Sequence, residues 1–219
     1  MYYRLDHSVA GNHVVLCSFW NFAIDVEVEM LRDILLQNRS CRRFFQYEEI
    51  DDDLLKELVD LTRFCPSSGN LQPLKFMILN EEQQNTRIFP LLGWAGYLTE
   101  WDGPLQGERP PAYIIILGDN LIKKEIDCDH GIVAQTILLG ACEKGLSGCI
   151  IASIKRDKLR EIFKIPERYD ILLVLAIGKP KEKIVLEKVG PDNDIKYWRD
   201  GDGVHHVPKR TLDDIIVSF

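Results

Sequence analysis

The segment from Asp127 to Lys144 constrains the fold most. It reads as one long helix, apolar on nearly every side, closing on Gly145 as the residue after its last turn. A helix without a broad polar face belongs in a domain core or at a subunit interface. Two further runs, Ala112 to Leu117 and Ile171 to Ile177, are apolar throughout and read as strands covered on both faces. With 219 residues the chain suits one domain, or one domain and an appendage, with a substantial core.

Around these anchors helices and strands alternate. Leu31, Ile34 and Leu35 mark a helix from Met30 to Asn38. Asp51, Asp52 and Asp53 put carboxylates in the positive first turn of a helix that closes near Phe64, before Pro66. Phe76 to Leu79 is a strand, with Asn80 capping a helix toward Phe89. Residues 90–111, rich in Gly and Pro around Trp94, Tyr97 and Trp101, form an irregular aromatic insertion. Cys149 to Ala152 is a strand and Arg156 to Phe163 a helix. Residues 181–208 read as a polar loop, and Thr211 to Val217 as a terminal strand or short helix. No Gly-rich first turn is present, so the pattern predicts a three-layer α+β domain with a central mixed sheet rather than a doubly wound dinucleotide fold.

The net charge of −7 and pI near 5.3 argue against nucleic-acid or membrane-surface partners. Six scattered cysteines, without a C-x-x-C pair or a histidine at ligand spacing, predict reduced thiols and no metal site. No apolar run reaches the roughly 20 residues of a membrane helix. Val14 to Trp20 is short, follows Arg4, Asp6 and His7, and lacks a small-x-small site before Asp25, so a cytoplasmic location is expected. Residues 1–29 read as an N-terminal extension, or an upstream start choice, ahead of a domain spanning 30–219.

Against the acidic background, three runs stand out: Asn38-Arg39-Ser40-Cys41-Arg42-Arg43-Phe44, Pro66-Ser67-Ser68-Gly69-Asn70-Leu71-Gln72-Pro73, and Pro208-Lys209-Arg210. Guanidinium groups beside a hydroxyl suit a phosphate. Gly and Pro admit close backbone approach to a flat ring, while Ser and Asn hydrogen-bond its heteroatoms. Taken alone, the first run reads equally as solvated basic residues, the second reads better as an ordinary helix-to-strand turn, and the third as surface charge.

Taken in order, these motifs resemble the nitroreductase family of FMN-dependent oxidoreductases, from about Met30 to the C-terminus. The resemblance rests on Arg-Ser-x-Arg-x-Phe at 39–44, Pro-Ser-Ser-x-Asn-x-Gln-Pro at 66–73, the helix start at Asp129 and Gly131, and Gly145-Leu146-Ser147-Gly148. It implies that Arg39, Ser40, Arg42, Lys209 and Arg210 hold the FMN phosphate and ribityl chain. It further implies that Pro66, Ser67, Ser68 and Asn70 line the ring from the partner subunit of a homodimer, and that Ile151, Ala152 and Ser153 run beside it. NADH or NADPH would be the reductant, and a small, aromatic acceptor such as a nitro compound or quinone the oxidant. Trp94, Tyr97 and Trp101 read either as a lid that stacks on the acceptor or as side chains packed under the insertion, and no protein acid or base is assigned. The alternatives are a flavin-binding sensor or store with little turnover, and a dehalogenase-like or flavin-cleaving member of the family. Asn38 and Leu74 depart from the family pattern, which often has arginine and an aromatic there.

Overall fold

The computed structural model describes residues 24–218, with side chains from residue 31 onward. The segment 14–20 and most of the expected extension therefore lie outside the described residues. Helix α1 spans Ile24–Gln37, so it starts earlier than Met30. Helix α2, Asp52–Asp60, begins as its acids predict: Asp51 accepts the Asp53 amide at 2.9 Å, and Asp52 and Asp53 fill the first turn. Its last turn tightens into a 3-10 helix over Leu61–Phe64.

Four strands form the main sheet: β1 (Leu74–Leu79), β2 (Ala112–Asp119), β3 (Ser147–Ile151) and β4 (Tyr169–Gly178). Their spatial order is β1-β2-β4-β3, and every neighbouring pair is antiparallel. The expected mixed sheet is corrected here. Helix α4 (Asp129–Glu143) carries the chain from β2 to β3, which run in the same direction. β4 then wedges between them, antiparallel to both.

Alternation along β2 shows why three layers form. Ile114 and Ile116 face one apolar cluster with Leu55 and Leu58 of α2 and Ala134, Ile137 and Ala141 of α4. Tyr113, Ile115 and Leu117 face another, with Ile88 of α3 (Glu82–Ile88) and Leu159 of α5 (Arg156–Phe163). Gly145 takes φ +73° after α4, as its position predicts.

Three expectations need correction. Asn80 does not cap α3; its amide donates to the Ile50 carbonyl at 3.3 Å, and Glu81 holds the cap position without a side-chain bond. Residues 181–208 are not a loop, because β5 (Ile184–Lys188), β6 (Trp198–Arg199) and β7 (His205–Lys209) build a second sheet in the order β5-β7-β6. Residues 211–217 are neither strand nor helix. The Asp214 carboxylate accepts from the Thr211 amide and hydroxyl, closing a local turn that leaves Leu212, Ile215, Ile216 and Val217 exposed.

One ion cluster ties the segment after α1 and the chain following β4 to the 90–111 insertion. Arg43 donates twice to Glu108 at 2.7 Å, and Lys181 approaches the same carboxylate at 3.1 Å. The Arg43 hydrogen bonds hold the Glu108 carboxyl at about 2, below its ordinary 4.5. A depressed carboxylate adds stability above the unfolded value and loses it as pH falls from 4.5 toward 2. Glu108→Gln should therefore destabilise the protein at pH 7 but hardly at all near pH 2, so thermal melts across this range should converge. Parallel melting curves at all pH values would contradict the assignment.

Candidate functional site

The Arg39–Phe44 motif leaves α1 and runs beside β3, where Ser40 bridges Gly148 in parallel. The close fit explains the glycine: a Cβ on Gly148 would lie 2.4 Å from the Ala176 carbonyl oxygen. Ser40 is exposed. Arg39 turns back, donating to the Leu35 and Asn38 carbonyls at 2.6 Å, so in this arrangement it caps α1. Arg42 donates to the Ser40 carbonyl at 3.2 Å, lies 3.5 Å from His205 Nε2, and sits over the Tyr197 ring at 5.0 Å. Neither guanidinium has a carboxylate within ion-pair reach among the described residues. In a chain of net charge −7, Arg42 beside an exposed hydroxyl suits a phosphate dianion, whereas the Arg39 guanidinium is turned onto α1.

A group that sequence reasoning missed supports Arg42 from beneath. The Glu182 side chain is fully buried; it accepts the Arg42 amide at 2.9 Å and pairs with the Arg199 guanidinium. Burial pushes the neighbouring His205 imidazole down to about 4, with Arg42 and Arg199 reinforcing the shift against Glu182. His205 therefore stays neutral near pH 7. His206, next in the strand, points to Asp200 and Glu187, which raise it. No local periodicity marks Glu182 as buried; its Arg199 partner lies 17 residues away.

The end of β3 opens a cleft of about 490 Å³, lined by Ser153, Trp94 and Trp101 among others. That volume lies in the range of small-molecule sites, roughly 300–1,000 Å³. Ile151 is buried, while Ala152 and Ser153 are exposed. The Ser153 carbonyl accepts the Gly93 amide at 2.8 Å, tying the insertion to the strand end. Trp94 packs on Phe89 with ring centroids 5.5 Å apart, and Trp101 lies under Arg199 at 4.1 Å. Tyr97 leans on Tyr197 at 4.9 Å instead of lining the cleft. The cleft, Arg199, Glu182 and Arg42 thus form one continuous arrangement.

The loop 66–73 stands elsewhere. It precedes β1, at the opposite edge of the sheet from β3, three strand spacings or about 14 Å away. Asp129 at the start of α4 clasps it, accepting from the Ser67 hydroxyl at 2.6 Å and the Ser68 amide at 3.1 Å. Ser68, Gly69 and Asn70 face solvent, as does Pro66. Lys209 and Arg210 lie at and just past the end of β7. They are exposed, and Lys209 lies four residues beyond His205 along β7, about 13 Å at the rise of a strand.

Comparison with known proteins defines the class. The Nitroreductase family model matches residues 35–96 and 107–179, more than half of the chain, and the protein belongs to that family. Among curated relatives, the Bacillus subtilis protein YodC, provisionally named an NAD(P)H nitroreductase, is 22% identical over 67% of this chain and 88% of its own. The 4-nitrobenzoate reductase of Pseudomonas putida is 21% identical over 72% of this chain and 88% of its own. A structure from Exiguobacterium sibiricum 255-15, solved in complex with FMN, superposes with a TM-score of 0.61 at 21% identity, covering 77% of this chain and 96% of that one. These likenesses establish an α+β nitroreductase-like fold. Among the described residues, no helix is long and apolar enough to cross a membrane, and no group of three or more His, Cys, Asp or Glu could hold a metal ion.

Proposed function

We propose that this chain is an FMN-dependent oxidoreductase, acting as a homodimer, that moves a hydride from NADH or NADPH to a small aromatic acceptor. The observation that carries the reading is Arg42 beside the exposed Ser40, at a family motif, joined through Glu182 and Arg199 to an aromatic cleft. A relative of the same fold was solved with FMN, and YodC carries an NAD(P)H nitroreductase name.

When bound, FMN supplies the two-electron carrier that the nicotinamide reduces and the acceptor reoxidises. Arg42, with the Ser40 hydroxyl, holds the phosphate as a permanently charged donor. Ile151, Ala152 and Ser153 present the end of β3 alongside the ring, and Trp94 and Trp101 wall off the acceptor side. Lys209 and Arg210 add positive charge at the chain's far end.

The two-edged placement supports the dimer reading. One chain carries its cations and its Ser-Ser-Gly-Asn loop on opposite edges of a sheet, so a second copy is needed to bring Pro66, Ser67, Ser68 and Asn70 to the ring. Leu31 and Leu36 of α1, 55% and 50% exposed, supply apolar surface for that contact. Light scattering of the flavin-loaded protein should give two chains and two FMN; a monomer that retains flavin would exclude a shared site.

The purified protein should be yellow and release FMN on denaturation. Anaerobic mixing with NADH or NADPH should bleach the flavin within seconds; oxidised flavin persisting for minutes would favour a binding role. Arg42→Ala should weaken FMN binding about ten- to a hundred-fold, the loss of one charge-assisted contact of roughly 1.5–3 kcal/mol. Fluorescence quenching of FMN by apo-protein measures it, and unchanged affinity would remove Arg42 from the site.

A further inference from the structure

The two faces of the second sheet meet different partners. In the ladder between β6 and β7, His206 lies opposite Trp198 and His205 opposite Arg199. Residues paired this way share a face, and successive residues alternate between faces. The inner face meets the motif after α1. His205 Nε2 lies 3.5 Å from the Arg42 guanidinium, and Arg199 pairs with Glu182, which accepts the Arg42 amide at 2.9 Å. On the outer face His206 stacks on Trp198, ring centroids 4.1 Å apart and 8° from parallel.

His206 meets a carboxylate at each ring nitrogen. Nδ1 lies 2.5 Å from Glu187 Oε1 on β5, and Nε2 lies 3.2 Å from Asp200 Oδ2 just past β6. Asp200 closes the turn into β7, its other oxygen accepting the Asp202 and Val204 amides at 3.0 and 2.8 Å. One ring therefore ties β5, β7 and the turn together. Its other neighbours carry no charge: Val185 is its partner in β5, Trp198 its partner in β6, and His205 on its own strand is neutral and faces inward.

The arrangement needs a proton. A neutral imidazole has one N–H and donates to one carboxylate only. Its bare nitrogen would face the lone pairs of the other, so losing the proton turns one contact from attractive to repulsive. Only the imidazolium satisfies both. We propose that His206 is a proton-operated clasp on the second sheet, closed while its ring is charged, which positions Arg42 through His205 and Arg199. Resting on the flavin reading above, the consequence is that opening the clasp weakens the hold on the FMN phosphate. Asp200 and Glu187 raise the imidazole above its ordinary 6.5. The clasp is therefore fully formed below that value and is lost as pH rises through the raised one.

In NMR spectra of the full-length protein, the His206 ring protons should titrate with a midpoint above 6.5. The Arg42 and Val204 amide resonances should move with the same midpoint. FMN affinity, read by fluorescence quenching, should fall about three- to tenfold from pH 7 to pH 9, the worth of two partly exposed ion pairs. The phosphate is already ionised over that range and adds little to the change. His206→Gln should show the lower affinity at both pH values. His206→Arg, a permanent cation that stacks on tryptophan, should keep the higher affinity at both. Should His206→Gln fail to fold, Glu187→Gln, which leaves the Asp200 turn in place, should lower the His206 midpoint. A His206 midpoint at or below 6.5 overturns the proposal. So does an Arg42 amide that ignores that midpoint, an FMN affinity equal at both pH values in the parent, or the same fall in His206→Gln. A protein that binds no FMN at either pH overturns the flavin reading instead, and the NMR midpoints still decide the clasp.

Discussion

Glu182→Ala is expected to destabilise the protein by about 3–5 kcal/mol, the range for removing one partner from a buried ion pair. The side chain is fully buried, and its loss strands the Arg199 guanidinium, itself only 15% exposed, together with the Arg42 amide. At roughly 2–4 °C per kcal/mol for a domain of this size, the melting temperature should fall by about 6–20 °C. The loss reaches the candidate site as well. Arg199 stacks on Trp101, and Glu182 holds the Arg42 amide, so the cleft and the Ser40–Arg42 segment loosen together. The double variant Glu182→Ala/Arg199→Ala should recover part of the loss, because no buried charge then remains unpaired. A Glu182→Ala protein melting within 2 °C of the parent would show that the pair contributes nothing.

The sequence carried the first layer of this fold because its signals there are local. Asp51 to Asp53 ahead of Leu55 and Leu58 mark α2 by capping and helical spacing, and the unbroken apolar runs of β2 and β4 mark strands covered on both faces. Sheet direction was not legible. Helices between strands suggest parallel crossovers, and only three dimensions show β4 inserted between β2 and β3. The second sheet was hidden for a related reason. β5 pairs in parallel with β7, Ile184 opposite His205, and the connecting residues are polar. Pro208 also argues against a strand, but β6 pairs only with His205 and His206, so the proline's missing amide faces no neighbour on that side. At the site, residue types and order identified the motif, whereas Arg39 folding back on α1 and Glu182 rising beneath Arg42 depend on tertiary contacts. The aromatic insertion divided likewise: Trp94 and Trp101 line the cleft, and Tyr97 found Tyr197, 100 residues on.

Asp129→Ala is expected to weaken flavin binding more than it weakens the fold. Asp129 is 2% exposed, and its carboxylate accepts the Ser67 hydroxyl and Ser68 amide, each a charge-assisted bond worth about 1.5–3 kcal/mol. Ser67 in turn accepts the Gln72 amide at 3.1 Å, so one carboxylate anchors the whole turn. Within it Gly69, Asn70 and Gln72 all hold left-handed backbone, φ 60°, 55° and 53°. The two non-glycine residues store about 1–3 kcal/mol each, released when the clasp breaks. Global stability should accordingly fall by only about 1–3 kcal/mol, while the loop loses its single conformation and FMN affinity falls at least tenfold. Asp129→Asn keeps one acceptor and should lie between. The Ser67 hydrogen bond holds this carboxyl below its ordinary 3.8, so the clasp is intact above that value and weakens as pH falls beneath it. Hydrogen exchange at the Ser68 and Gln72 amides reads the loop directly, and both should exchange faster in Asp129→Ala while strands β2 and β4 stay protected. Unchanged exchange at those amides, with FMN affinity within twofold of the parent, would mean that the loop keeps its shape without the clasp and that Asp129 serves only the start of α4.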